Sequence, residues 1–309
     1  MTLHNVLRKL GCYFGRSFVM ICPKFTYVAT VVVGGILSAA AAADVKAGKW
    51  AVCYSSECDA RALGQYDIAV LDAISHPPIS QVRNQGAKVF GYISIGEIEA
   101  YRDHYAWARR ENLIVRENPN WSENYLIDIR RDVWLEKLIY DLVPEMIRKG
   151  FDGLMLDTVD SSILLEREQP EEFAGMNDAA VRIIRSLDRH FPDTELILNR
   201  GYEVLPRVGS AINYALGESV YTDYDFKTDS YSLRSEEAYR WQVDRLSAAA
   251  KANPDLQVLT LDYWPPDDHD KIREIYRIQR ANGFWPYVAT VDLQSVIPEP
   301  SKAEASEAE

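Results

Sequence analysis

Eight short apolar runs, each separated from the next by room for a helix, constrain the fold of this 309-residue chain more than any other feature. β-Branched and aromatic residues dominate the runs, which lack the polar alternation of strands that face water on one side. Strands of a parallel sheet that is covered by helices have this composition. The sequence therefore predicts an α/β protein with strands at 50–54, 68–71, 89–95, 153–156, 196–198, 212–216, 258–261 and 285–289.

Helical patterns fill the intervals between these runs. The clearest spans 132–149, where an apolar stripe follows Asp132, a predicted N-cap, and ends before Gly150, a predicted C-terminal stop. Further helices are predicted at 177–190, 235–252 and 268–281. Eight strand–helix units over about 250 residues predict a single (β/α)₈ barrel, residues 44–297. An open doubly wound sheet is the alternative, but no Gly-x-Gly-x-x-Gly follows the first run.

Two connections, 97–131 after the third strand and 219–234 after the sixth, far exceed the ~2–6 residues usual in such units. Both follow a strand, so a barrel places them on its carboxyl-terminal face, where active sites lie. Aromatic rings in such loops can stack on the C–H faces of sugars, or they can pack as a satellite cluster over the barrel. The aromatic residues concerned are Tyr101, Tyr105, Trp107, Trp121, Tyr125, Tyr221, Tyr224, Phe226, Tyr231, Tyr263 and Trp264.

Polar residues, most of them acidic, stand where six of the strands end. They are Asp72, Glu97, Asp157, Asp160, Asn199, Glu218 and Asp262. Any one of them alone could cap a helix, but a barrel brings them to one mouth, where crowded carboxylates resist ionising together. This pattern predicts acid/base chemistry of the kind that cleaves glycosides, retaining at a carboxyl separation of ~5–5.5 Å and inverting at ~6.5–9.5 Å.

Other chemistries lack their residues in this sequence. A zinc hydrolase needs imidazoles at strand ends, and of the five histidines only His76 lies near one. The chain contains neither a Gly-x-Ser-x-Gly motif nor a phosphate-binding loop, so we expect no metal and no other cofactor. The net charge of −12 disfavours nucleic acid as a partner.

Residues 1–43 are typical of a secretory signal peptide, with four basic residues, no acid, an apolar run and Ala41-Ala42-Ala43. A start at Met20 and a retained membrane anchor are the alternatives. Without this segment, 30 basic residues face 46 acidic ones, a net charge of −16. We therefore expect a secreted or periplasmic, strongly acidic monomer.

In an oxidising compartment, Cys53 and Cys58 are predicted to form a disulfide. A metal pair and two free thiols are the alternatives. Residues 298–309 have little to bury and are predicted to form a disordered tail.

Five stretches at the strand ends carry a family resemblance: VFGYISIGEIEAYR, GFDGLMLDTVD, LILNRGYEVLP, ALGESVY and VLTLDYWPP. Their order and spacing resemble glycoside hydrolase family 114, the endo-α-1,4-polygalactosaminidases, in the version found in Pel exopolysaccharide-processing proteins. The resemblance covers about residues 50–292. Thr158 and Gly217 depart from the residues commoner in the family, without removing a carboxylate.

This resemblance implies a (β/α)₈ barrel that cleaves α-1,4-linked galactosamine-rich polymers, whose positive charge suits an acidic protein. Its two catalytic carboxylates correspond to Asp157, which we assign as nucleophile, and Glu218, assigned as acid/base, with the reverse assignment open. A non-catalytic polysaccharide-binding protein and an exopolysaccharide assembly protein are alternatives. The residues predicted to bind substrate, by pairing with ammonium groups or hydroxyls or by lining the site, are Asp72, Glu97, Asp160, Asn199, Asp262 and Tyr263.

Overall fold

The computed structural model describes residues 48–300. The predicted signal peptide and most of the predicted tail lie outside these residues. Eight strands of the described range form one parallel sheet. They are β1 (Trp50–Cys53), β2 (Ile68–Leu71), β3 (Lys88–Ser94), β4 (Gly153–Asp157), β5 (Glu195–Asn199), β6 (Tyr214–Glu218), β7 (Gln257–Tyr263) and β8 (Trp285–Ala289).

Each strand pairs with its neighbour in chain order, and the sheet curls into a nearly closed barrel. At the seam the Trp50 indole N–H donates 2.8 Å to the carbonyl oxygen of Trp285. The predicted (β/α)₈ barrel is confirmed, with every strand boundary within two residues of its predicted place. The strands are buried almost throughout, and each aliphatic side chain so removed from water stabilises the fold by ~1.5–3 kcal/mol.

Helices cover the outside of the barrel. Three of the predicted ones are found at Met176–His190, Glu236–Ala252 and His269–Ala281, the last two capped by Ser235 and Asp268. Shorter helices occupy Ala60–Leu63, Ile79–Arg83, Val159–Glu168 and Leu205–Val208, with a 3₁₀ turn at Gly209–Ala211.

The helix predicted at 132–149 contains a π turn. It runs as Asp132–Lys137, the π segment Leu138–Leu142 and Val143–Lys149, and it ends at Gly150 in a left-handed conformation, as predicted. Pro144 has no N–H to donate to the carbonyl of Tyr140, which explains why the regular ladder breaks there. Asp132 is the first helical residue rather than the N-cap, and its carboxylate pairs with Arg182 instead.

The two long connections have structure of their own. The β3 insertion, residues 97–131, holds a three-stranded antiparallel sheet (Glu97–Glu99, Ile114–Glu117 and Asn124–Ile127) and the helix Tyr105–Arg110. The connection after β6 holds the β6 hairpin, Thr222–Asp225 paired with Ser230–Leu233. Both rise from the carboxyl-terminal face of the barrel.

A disulfide joins Cys53 at the end of β1 to Cys58, with the two Cα atoms 6.5 Å apart. Among residues 48–300, no helix has the length and apolar character needed to cross a membrane.

Candidate active site

Three neighbouring strands end in the polar side chains at the centre of the mouth. Asp157 is the last residue of β4, Asn199 of β5 and Glu218 of β6. Asn199 is opposite Leu216 in the register, so β6 extends two residues further to Glu218, and the hydrogen bonds from Asn199 show that the three side chains meet in the same space. The structure thus brings together the two predicted catalytic carboxylates and places an amide between them.

The Asn199 amide bonds both carboxylates at once. Its Nδ2 donates 2.8 Å to Asp157 Oδ1 and 2.7 Å to Glu218 Oε2. These two oxygens therefore lie at most about 5.5 Å apart, the sum of the two bonds. The sequence predicts that Asn199 bonds a substrate hydroxyl. In the structure both N–H groups of its side-chain amide donate to the carboxylates instead.

Tyrosine side chains line the same space. The Tyr263 hydroxyl donates 2.6 Å to Glu218 Oε1, so both oxygens of that carboxylate accept a hydrogen bond. Tyr54 and Tyr92 pack edge to face, 5.2 Å between centroids, and burial followed by the charge of Asp157 raises the pKa of both phenols well above the usual value. Neither of these two is among the site residues predicted from the sequence, although Tyr54 ends the first predicted strand and Tyr92 lies within the third.

The electrostatics of the site centre on Asp157. Burial, then the negative charges of Glu218 and Asp160, raises the pKa of Asp157 from 3.8 to about 7, and the bond from Asn199 opposes the shift. Asp157 therefore keeps a proton below about pH 7. One protonated and one ionised carboxyl is the state in which glycoside cleavage begins.

Left-handed backbone follows each of the three strand ends. Thr158, Arg200 and Ser219 have φ of 60°, 55° and 50°, values that non-glycine residues rarely adopt. The Thr158 hydroxyl supports its turn, because it accepts the Gly96 N–H at 2.9 Å and bonds the Ser94 hydroxyl at 2.7 Å. Strain of this kind persists where surrounding contacts fix it, and here it aims the side chains of the site.

The turn after Glu218 is held from behind. The carbonyl oxygen of Ser219 accepts bonds from Arg234 Nε at 2.5 Å and from the buried Gln242 Nε2 at 2.7 Å. Gln242 Oε1 accepts the Tyr202 hydroxyl at 2.5 Å, which links the turns after β5 and β6. These bonds fix the turn that follows Glu218.

Three of the predicted ammonium partners already have partners within the protein. Asp72 is buried and pairs with Arg102 Nη2 at 2.6 Å; burial opposes ionisation, but Arg102 brings the pKa of Asp72 below its usual value. Glu97, 3% exposed, accepts from Asn118 and Ser161, and burial raises its pKa.

Asp262 is fully buried. One oxygen accepts the backbone N–H groups of Tyr221 and Thr222, and the other accepts from Gln279. It ties the β6 hairpin to β7, so we assign it a structural part. Asp160 differs, because its side chain is 35% exposed and it lies near enough to raise the pKa of Asp157. Its carboxylate is 3.3 Å from Arg200 Nε; partial loss of water around the carboxylate raises its pKa, and the charge of Arg200 opposes the shift.

The aromatic residues of the insertions separate into two sets. Trp107 packs near the buried Trp134, and Tyr105 packs on Tyr125 with centroids 5.1 Å apart, so these belong to a satellite cluster. Trp121 and Phe226 remain half exposed.

A (β/α)₈ barrel with paired carboxylates at its carboxyl-terminal mouth defines the class of this protein: it is a barrel glycoside hydrolase. The model of glycoside-hydrolase family GH114 matches residues 36–304. The chain belongs to this family.

Relatives and solved structures agree with this assignment. An uncharacterised protein of Methanocaldococcus jannaschii is 26% identical over 236 residues, 71% of this chain and 66% of the relative, so the chain spans just under two thirds of that protein. The glycoside hydrolase domain of PelA from Pseudomonas aeruginosa superposes with a TM-score of 0.71 at 26% identity, covering 80% of this chain and 98% of that one.

Ega3 of Aspergillus fumigatus, solved in complex with galactosamine, superposes with a TM-score of 0.62. Its identity is 14%, over 82% of this chain and 94% of that one, so this likeness concerns the fold alone.

Proposed function

We propose that this protein cleaves α-1,4-linked, galactosamine-rich exopolysaccharide with retention of configuration, using Asp157 and Glu218. The observation that carries the proposal is the shared amide of Asn199, whose two hydrogen bonds keep an oxygen of each carboxylate within about 5.5 Å of the other. An inverting enzyme needs room for a water between them, ~6.5–9.5 Å. The PelA hydrolase domain, 26% identical, supports hydrolysis of a glycoside, and the resemblance of the strand-end motifs supports a galactosamine-rich polymer as the substrate.

The reaction runs in two displacements. An ionised Asp157 oxygen attacks C1 of the sugar while Glu218 gives its proton to the departing glycosidic oxygen, and the C1–O bond breaks. Glu218 then takes a proton from water, whose oxygen attacks C1 and releases Asp157. Tyr263 and Asn199 keep both oxygens of Glu218 oriented between the two steps.

The substrate itself favours this assignment of roles. The C2 ammonium is one carbon from C1, so in the complex it lies near the attacking carboxylate and favours its ionised form. The single proton of the pair then resides on Glu218, where the leaving oxygen needs it. Attack by a 2-acetamido group is disfavoured, because in an α-galactosaminide that group and the leaving oxygen lie on the same side of the ring.

We further propose that the enzyme acts outside the cytoplasm. The signal-like residues 1–43 and the Cys53–Cys58 disulfide support this placement, because disulfides persist in oxidising compartments.

A non-catalytic binding protein would not need two carboxylates and a shared amide at this spacing.

Isosteric amides at the two carboxylates test the mechanism. Asp157→Asn and Glu218→Gln should each lower kcat on partially deacetylated α-1,4-galactosaminan by at least ~10²–10⁴ without loss of folding. With an aryl galactosaminide that needs no protonation to leave, Glu218→Gln should recover glycosylation and Asp157→Asn should not. Near wild-type turnover by either variant on the polymer would overturn the proposal, and the opposite rescue would exchange the two roles.

A further inference from the structure

Five aromatic side chains form a continuous row on the carboxyl-terminal face. The aromatic row begins at Trp121 in the β3 insertion, continues through Phe226, Tyr224 and Tyr231 of the β6 hairpin, and ends at Trp264 after β7. Successive ring centroids are 4.7, 5.0, 4.9 and 6.1 Å apart. The ring contacts therefore connect three separate parts of the chain.

The row joins the insertions on either side of two strands of the site. Trp121 follows β3 and Phe226 follows β6, while β4 and β5, which end in Asp157 and Asn199, stand between those strands. The row therefore bridges the two insertions that flank the strands carrying Asp157 and Asn199.

Two members of the row are exposed in a way that folding alone does not require. Trp121 is 47% exposed and Phe226 50%, although they touch each other. Adjacent exposed rings at the rim of a cleft mark a binding surface, whereas Trp107 and Trp134 show how the same insertion buries rings for stability.

The position of the row is fixed relative to the catalytic pair. Buried Asp262 accepts the N–H groups at the base of the β6 hairpin, and the Tyr263 N–H donates 2.9 Å to the Thr222 hydroxyl. Tyr263 in turn bonds Glu218, and Trp264 is the next residue. Pre-positioned rings lower the entropy cost of holding a long ligand.

We propose that the aromatic row is a second sugar-binding site, which holds amino-sugar residues of the polymer away from the scissile bond. Flat rings suit the C–H faces of pyranoses, and the carboxylate of Asp229, which accepts the Tyr224 hydroxyl, lies beside them to meet an ammonium group. The identity of the polymer rests on the proposed function; the existence of the site does not.

Substrate length tests the row. Trp121→Ala and Phe226→Ala should each raise KM about 5- to 10-fold on partially deacetylated α-1,4-galactosaminan, with kcat nearly unchanged. On p-nitrophenyl α-galactosaminide, which has a single sugar, the change should stay below about twofold. Trp121→Phe and Phe226→Tyr should restore polymer binding. Tyr140→Ala, at a 71% exposed ring on the helix 132–149, is the matched control and should leave KM unchanged for both substrates.

Binding by an inactive enzyme separates the row from the chemistry. In the Asp157→Asn background, the same two changes should weaken the Kd for the polymer by a similar factor. Equal increases in KM on the polymer and on the short substrate, or no weakening of polymer binding, would show that the row is not a sugar-binding site. The proposed function would be unaffected. Row-dependent binding by a wild-type protein that cleaves neither substrate would overturn the proposed function alone.

Discussion

The raised pKa of Asp157 makes the stability of the folded protein depend on pH. An aspartate that titrates at 3.8 when unfolded and at about 7 when folded binds more protons in the folded state across that interval. Stability from this group is therefore present at low pH and is lost as the pH rises toward 7. The loss is on the order of a few kcal/mol at pH 8, because each tenfold change in proton affinity corresponds to about 1.4 kcal/mol.

Asp157→Asn should accordingly lose activity and gain stability. The neutral amide keeps an oxygen to accept from Asn199 but carries no charge against Glu218. We expect its unfolding midpoint in urea to exceed that of the wild type clearly at pH 8 and by less at pH 5, because the difference closes only as the pH falls toward the unfolded pKa of 3.8. Asp255→Asn, at an exposed aspartate, is the control. It should change the free energy of unfolding equally at the two pH values, by less than ~0.5 kcal/mol. If the unfolding midpoints of the wild type and Asp157→Asn had the same pH dependence, ionised Asp157 would not destabilise the folded protein.

Close approach of two strand-end turns is what aims Asp157. A Cβ on Gly96 would lie 2.2 Å from the Thr158 carbonyl oxygen and 2.7 Å from the Ser162 hydroxyl, neither of which can move freely. Gly96→Ala should therefore displace the turn that follows β4. Because a shift of about 1 Å at a reacting group can cost ~10²-fold, we expect kcat to fall ~10–100-fold, with a stability loss of ~1–3 kcal/mol.

Gly209→Ala provides the matched control for that substitution. A Cβ on Gly209 meets nothing within 4 Å, and its backbone is helical. Activity and unfolding midpoint should both stay near those of the wild type. Wild-type kcat in Gly96→Ala, measured on the same polymer, would mean that the contact with Thr158 does not position Asp157.

The elements that the sequence predicted well are those whose pattern is local. The eight barrel strands are buried apolar runs, and the helices at 177–190, 235–252 and 268–281 have an apolar stripe and, in two of them, a polar cap. The strands of the β3 insertion and β6 hairpin could not be predicted, because strands of three or four half-polar residues have no distinct period.

The roles of single acids depend on partners far along the chain. Asp72 stands at a strand end just as Asp157 does, and only the placement of Arg102, 30 residues later, shows that its charge is already paired. Asp262 likewise binds N–H groups 40 and 41 residues earlier in the chain. The position of Asn199 at a strand end predicts it as a site residue. Its bridge between two carboxylates could not be predicted, because the bridge depends on how three strands lie together.

Charge acts at the scale of the whole molecule. The chain has 46 acidic and 34 basic residues. Asp72, Glu97 and Asp262 are buried with partners inside the protein, so recognition of ammonium groups is left to Asp160, which is partly exposed although it pairs with Arg200, and to the overall negative field. Such a field raises the local concentration of a cationic polymer and speeds encounter, and salt screens it.

Salt and acetylation should therefore act together. Raising ionic strength from 0.1 to 1 M shortens the Debye length from ~10 to ~3 Å, and KM for the partially deacetylated polymer should rise about 3- to 10-fold. Full N-acetylation removes the ammonium groups, so KM should start higher and respond little to salt. Asp160→Asn should reduce the salt response on the deacetylated polymer with kcat nearly unchanged, since it removes binding common to the ground and transition states. Equal KM values for the two polymers, with the same salt dependence, would leave the acidic surface a role in solubility alone.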